Sequence, residues 1–236
     1  MREALVFNGA SNLDFQDIRG NVIRIPEVVL RIREAQTIWD TLSSVPLDLA
    51  NFIASEDAIF LNHIKLRNFA TAVVQVGLLD RYLRNHQLSE FVVGAVNGDS
   101  PLQVALGQIT FFDMVAESSA LTGVGSKART GGSLGLELPI LSGVQLAEYG
   151  IFCKTENGSY ERLNLPTVDV EKMIAELVEQ QNVDKLVLVG PGNSLFGKRI
   201  LDLTSRDVQV LESIDLDPML SWFWSNLKEN RLAIAN

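Results

Sequence analysis

Three short, uninterrupted apolar runs constrain this chain more than any other feature: Leu5-Val6-Phe7, Phe91-Val92-Val93 and Leu186-Val187-Leu188-Val189. Each is ended at once by a glycine-bearing turn, at Asn8-Gly9, at Gly94 to Gly98 and at Gly190-Pro191-Gly192-Asn193. A run too short for a helix and apolar at every position reads as a strand buried on both faces. Between the runs lie stretches with helical spacing. Pro26 opens one that reaches about Thr41, with Val28, Val29, Ile32 and Ile38 recurring on one side. Pro46 to Ile64 is helical but interrupted. Asn68 to Asn85 is clearer, with Phe69, Ala72, Val73, Val76, Leu79 and Leu83 in a single stripe. Further helices are predicted over Ser100–Leu106, Thr110–Leu121 and Val168–Gln180, from about Ser194, and over Asp215–Leu227. Leu138–Leu141, Tyr149–Lys154 and Val208–Leu211 read as strands. Thr122 to Gly135 is glycine-rich without a hydrophobic period and predicts a loop. Strands alternating with helices predict an α/β fold, a three-layer α/β/α sandwich around a mainly parallel sheet, as a single domain over 1–236.

Charge and composition narrow the partners. Twenty basic side chains against 29 acidic ones give a formal charge of −9, and the pI is near 4.8. Phosphate backbones and anionic bilayers are bound by clustered Lys and Arg, so neither nucleic acid nor a membrane is an expected partner. No run approaches the ~18 apolar residues of a membrane span, and MREALVFNGAS does not read as a secretory signal. The expectation is a cytoplasmic protein. Its one cysteine, Cys153, has no internal disulfide partner. With only two histidines beside it, no zinc site and no cofactor are expected.

In an open α/β sheet, ligands collect at the carboxyl ends of the strands. Three turns therefore matter: Gly9, Ala10 and Ser11 after the first strand, Gly94 to Asp99 after the second, and Gly190, Gly192 and Asn193 after the third long run. The middle turn has the strand-Gly-x-x-x-Gly-helix spacing of a nucleophile elbow, whose central residue should be Ser or Cys. Here it is Val96, flanked by Ala95 and Asn97. An isopropyl group neither attacks a carbonyl nor exchanges a proton.

With these turns in view, the chain resembles the malonyl-CoA:acyl-carrier-protein transacylase family. Phe7-Asn8-Gly9-Ala10-Ser11 is similar to the family's first turn, and Gly94-Ala95-Val96-Asn97-Gly98-Asp99 to its Gly-His-Ser-Leu-Gly-Glu elbow. Ile109-Thr110-Phe111-Phe112-Asp113-Met114-Val115 resembles the helix that follows. Val189-Gly190-Pro191-Gly192, with Lys198-Arg199-Ile200 after it, resembles the late strand and turn. The resemblance implies an acyltransferase core. The interval from Thr122 to Val189 is too short for the full ferredoxin-like small subdomain, so 122–160 is expected to be a reduced insertion in its place.

Carried over residue by residue, the resemblance implies a dismantled active site. The nucleophile falls on Val96, the histidine before it on Ala95, and the oxyanion-hole glutamine on Ala10. The carboxylate-gripping arginine falls on Leu121, and the pocket glutamine falls near Asn68, where an amide survives. No histidine follows His86, so the general base is missing. A malonyl carboxylate desolvated beside a leucine would be left unpaired, at a cost of several kcal/mol. Removing triad members alone reduces turnover by roughly 10⁶. No catalytic residue is therefore expected for the parent reaction.

Other side chains have plainer readings. Ser100, before Pro101, is the fallback nucleophile, but Ser-Pro is also an N-cap followed by the proline of a first turn. Ser194 similarly starts a helix. Cys153 reads as a buried small hydrophobe, and His63 and His86 as surface or helix-end residues. Gly190-x-Gly192 lacks the third glycine of a dinucleotide site. Lys127 with Arg129, and Lys198 with Arg199, are candidate basic patches. Asn157-Gly158-Ser159 is a chance sequon, and Trp222-Phe223-Trp224 reads as packing of the last helix. The expected function is that of a catalytically inactive acyltransferase-like protein, a binding or scaffolding partner in fatty acid or polyketide assembly. Its expected partner is an acyl carrier protein or a synthase component. The competing readings are a divergent acyltransferase or hydrolase using Ser100, and a structural subunit that dimerises with itself or with an active paralogue.

Overall fold

A computed structural model describes residues 2–7, 22–54, 63–96, 101–127, 149–164, 169–190 and 194–220. The described elements are β1 (Glu3–Val6), α1 (Pro26–Leu42), α2 (Leu49–Ala54), α3 (Ile64–Leu83), β2 (Phe91–Ala95), α4 (Pro101–Ala105) and α5 (Phe111–Lys127). They continue with β3 (Tyr149–Lys154), β4 (Tyr160–Leu163), α6 (Val170–Gln181), β5 (Lys185–Leu188), α7 (Ser194–Leu203) and β6 (Gln209–Glu212). Short 3₁₀ turns occupy Val22–Arg24 and Ser213–Leu216.

The strands form one six-stranded sheet in the order β4-β3-β2-β1-β5-β6. β1 is parallel to both β2 and β5, and β6 is parallel to β5. The sheet is mixed, because β3 pairs antiparallel with β2 and β4 antiparallel with β3. The alternation of side chains along β1, β2 and β5 feeds two cores. Leu5, Val92 and Val187 face α1, α3 and α5, while Ala4, Val6, Val93, Leu186 and Leu188 face α6 and α7. Burial on both faces is why these strands are apolar beyond the Glu3 and Lys185 that open β1 and β5.

α3 is the centre of the thicker side. Every residue from Phe69 to Leu79 is buried, including the polar Thr71 and Gln75. A helix covered all round needs a second helix above it, and α1 supplies it. Trp39 meets Phe69 with ring centroids 5.2 Å apart, and the Trp39 indole N–H donates to the Val45 carbonyl at 2.8 Å. At the other end, a Cβ on Gly77 would lie 2.6 Å from Val28 Cα. The two helices touch backbone to backbone there, which only glycine permits.

One expectation needs correction. The loop predicted from Thr122 begins later, because α5 runs through Thr122 to Lys127. Adding a residue to an existing helix needs no new nucleus, so elongation tolerates Gly123 and Gly125 at about 1 kcal/mol each. Tyr149 to Lys154, predicted as a strand, is β3 of the main sheet. β4 was not predicted. Its hairpin turns at Asn157-Gly158, where Gly158 has φ +85° and the Asn157 side chain accepts from the Ser159 N–H. The strand expected at Leu138–Leu141 and the Trp222-Phe223-Trp224 cluster lie outside the described residues.

Candidate functional site

The connections run from β1 outward to β2 on one side and return to β5 on the other, so the strand order reverses between β1 and β5. That reversal, at the carboxyl ends, is where open α/β sheets leave a crevice. Pairing continues to its edge: Phe7 N–H donates to Val93 O at 2.7 Å, and Val189 N–H to Val6 O at 2.9 Å. The strands that precede the three turns singled out in the sequence therefore end side by side. Gly9, Ala10, Ser11, Asn97, Gly98, Ser100, Gly192 and Asn193 lie outside the described residues, whereas Gly94, Ala95, Val96 and Gly190 are described.

Gly94 is buried at the end of β2. A Cβ there would lie 3.0 Å from Leu102 Cβ and 3.0 Å from Phe7 Cβ. The strand, the following helix α4 and the end of β1 thus converge on a position without room for a side chain. Val96 is half-buried and does not stand clear of the sheet. Its Cγ1 lies 2.8 Å from where Gly150 would carry a Cβ, and Gly150 is the β3 partner of Gly94. The Val96 carbonyl accepts from the Gln103 side-chain amide at 2.6 Å, which ties the strand end to α4.

Asn68 lies in the second turn of α3, and its Oδ1 is buried without a hydrogen-bond partner. Leu121 lies within α5. His63 is the N-cap of α3, with Nδ1 accepting from Leu66 N–H at 3.3 Å, so the proton of the neutral ring sits on Nε2. The other candidates are elsewhere. Cys153 pairs with Phe91 at the amino end of β2 and is half-buried. Burial and the nearby Glu90 carboxylate push its thiol pKa up, away from the reactive thiolate. His86 stacks on Tyr82 with centroids 4.6 Å apart, and its Nδ1 lies 3.2 Å from the Tyr82 carbonyl. Lys198 is exposed, and Arg199 pairs with Glu171 at 3.0 Å. A shallow cavity of about 240 Å³ lies where α7 meets the carboxyl ends of β5 and β6, with Leu188, Lys198, Val210, Glu212 and Asp215 in its wall. Among the described residues no group of His, Cys, Asp and Glu could hold a metal ion.

The ionic networks gather at the opposite, amino pole. Glu3 accepts from Tyr82 (2.6 Å), Ser89 (2.7 Å) and Lys185 (2.7 Å). Burial alone would raise the Glu3 carboxyl pKa, but these three donors outweigh it and hold the pKa below the usual range. Arg2 pairs with Glu90 and stacks over Phe91. Arg81 lies between Asp217 (2.6 Å) and Glu27 (3.5 Å), and Arg84 adds a second contact to Glu27 at 2.8 Å. Glu27 is 3% exposed and its Oε2 has no partner.

Gly150, Gln103 and Glu27 carry none of the sequence signals used above. Gly150 is one glycine in a predicted strand, and the other two depend on long-range packing. No family model, no curated protein and no solved structure matches the chain.

Proposed function

We propose that the chain is a catalytically inactive, acyltransferase-like protein that binds or scaffolds a component of fatty acid or polyketide assembly. The observation that carries this reading is the end of β2. Gly94 there leaves no room for a side chain between Leu102 and Phe7, while Val96, central in the Gly94-x-x-x-Gly98 spacing, is a valine seated on Gly150. A binding role asks only for the framework of such a turn. An acyl-enzyme also needs a nucleophile and a base, and Val96 with Ala95 offers neither. Malonyl transfer would further need a cation for the carboxylate, which Leu121 does not provide.

With a net charge of −9, docking of an acidic carrier protein depends on a local basic surface. Exposed Lys198 is the described residue best placed for it, because neighbouring Arg199 is engaged by Glu171. Native mass spectrometry of the full chain with malonyl-CoA, acetyl-CoA and a holo carrier protein tests the reading. A non-covalent complex without any acyl increment supports it. A covalent acyl increment overturns the inactive assignment and directs mapping to Ser100 first. If neither species forms, the link to acyl chemistry is refuted.

A further inference from the structure

A cavity of about 470 Å³ lies between α1 and the segment that enters α2. That volume is in the range of small-molecule sites. None of its lining residues comes from a strand or from the three turns, so it is a different place from the candidate site.

One wall follows from helix geometry. Arg33, Gln36, Thr37 and Asp40 are spaced i, i+3, i+4 and i+7, and therefore share one face of α1. The other wall includes Leu47 and Asp48, and Asp48 Oδ1 caps the start of α2 by accepting from the Asn51 N–H at 3.0 Å. Gln36 fixes the two walls to each other. Its Nε2 donates to Asp40 Oδ1 and to the Leu47 carbonyl, each at 2.7 Å, and its Oε1 accepts from the Leu49 N–H at 2.8 Å. Both amide hydrogens are thereby spent on the protein. Gln36 gives the cavity its shape and leaves selectivity to its neighbours.

The open groups are charged. Arg33 is exposed, and among the described residues its guanidinium makes no hydrogen bond or ion pair. Asp40 and Asp48 are exposed too, and each spends Oδ1 on the protein while Oδ2 makes no bond among the described residues. Arg33 and Asp40 lie about 10 Å apart along the helix axis. Asp48 stands at the acidic end, because the residues on either side of it are bonded to Gln36.

We propose that this cavity binds a small zwitterion, with its carboxylate at Arg33 and its ammonium at Asp40 and Asp48. A simple anion would gain Arg33 but face two carboxylates, and a simple cation would face the guanidinium. A molecule with both charges, set about 10 Å apart, matches the sign at each end. An unblocked tripeptide has that length, since an extended chain spans about 3.3–3.6 Å per residue. Exposed ion pairs are individually weak, so selectivity rests on satisfying both ends together.

Trialanine is the probe. Titrated into the labelled full chain at low salt, it should shift the backbone amide signals of residues 32–50 saturably. Acetylating its N-terminus or amidating its C-terminus should each weaken binding about 3- to 5-fold, and doing both should weaken it about 10- to 25-fold. Arg33→Gln should erase the cost of amidation alone. Asp40→Asn combined with Asp48→Asn should erase the cost of acetylation alone. Asparagine keeps the Oδ1 acceptors that meet Gln36 and cap α2, so the walls stay in place. No saturable shift with trialanine, equal affinity for the doubly blocked peptide, or an amidation cost that survives Arg33→Gln would each overturn the proposal.

Discussion

If Val96 truly fills the space above Gly150, the two residues must be energetically coupled, and a double-mutant cycle measures the coupling. Gly150→Ala places a methyl 2.8 Å from Val96 Cγ1 and 3.0 Å from Phe152 Cε2. Carbon atoms in contact prefer about 3.5–4.0 Å. Val96 is branched at Cβ and stiff at χ1, and Gln103 holds the strand end through the carbonyl. Overpacking of this kind costs about 1–3 kcal/mol. Alanine regains roughly 0.5–1 kcal/mol of the entropy that glycine loses on folding. The net loss expected for Gly150→Ala is about 1.5 kcal/mol.

Val96→Ala removes two methyl groups from a half-buried position and should cost about 1 kcal/mol. In the double variant the new methyl occupies the vacated space, so the combined loss should stay near 1 kcal/mol instead of the additive ~2.5 kcal/mol. Urea unfolding reads this directly. With a slope of about 2.5 kcal/mol/M, Gly150→Ala should lower the midpoint by about 0.6 M and the double variant by only about 0.4 M. A double variant lowered by the full sum, about 1 M, would show that Val96 does not rest on Gly150. The packing of the strand end against β3, on which the proposed reading draws, would then lose its support.

Gly77→Ala should destabilise the chain by about 2 kcal/mol in the same assay despite alanine's better helix propensity, because the new Cβ would meet the Val28 backbone at 2.6 Å. An unchanged or raised midpoint would refute the close α1–α3 contact. Arg81→Met should cost about 3 kcal/mol, since it removes the guanidinium between Asp217 and the almost wholly buried Glu27; a loss below about 0.5 kcal/mol would mean the pairs are solvated. The chain has three tyrosines, and all three are shifted upward. Burial and the Glu3 bond raise Tyr82, burial raises Tyr149, and burial with the nearby Cys153 takes Tyr160 to about 12. Folding thus favours the protonated phenols, a stabilisation present below the unfolded value of about 10 and lost as pH rises above it. Absorbance at ~295 nm should show no tyrosine ionising near pH 10 until the chain unfolds, and a reversible step there in the folded state would contradict the burial.

The sheet's centre was legible because β1, β2 and β5 are buried on both faces, which removes polar residues and leaves unmistakable runs. β4 was not, for the opposite reason. Tyr160-Glu161-Arg162-Leu163 is an edge strand with its middle residues exposed, so nothing in its composition separates it from a loop. The signal present was the Asn157-Gly158 turn, a strong hairpin marker between two strands. The end of α5 was misread because glycine content suggests a loop, while a helix already nucleated upstream extends through it. At the candidate site, chemistry and packing differ in the same way. That Val96 cannot be a nucleophile follows from the residue itself. That it rests on Gly150 requires the β2–β3 register, which pairs residues 56 positions apart and leaves no local trace.

The distribution of charge along the strand direction bears on what kind of binding the chain can support. Glu3, Lys185, Tyr82, Ser89, Arg2, Glu90, Glu27, Arg81, Arg84 and Asp217 are all engaged in ion pairs or hydrogen bonds with one another, networks that stabilise the fold. At the carboxyl pole, the described ends of β1 and β2 meet through Phe7, Gly94, Leu102 and Val96, a junction of apolar side chains to which the Gln103 amide adds a hydrogen bond on the Val96 carbonyl. That junction, among the described residues, offers no charged side chain to pair with a carboxylate. Within the proposed reading, this favours the acyl portion of a carrier-bound chain over a free malonyl carboxylate. The two ligands should therefore separate cleanly in the mass-spectrometric test: a saturated acyl group on the carrier should strengthen the complex, and a malonyl group should not.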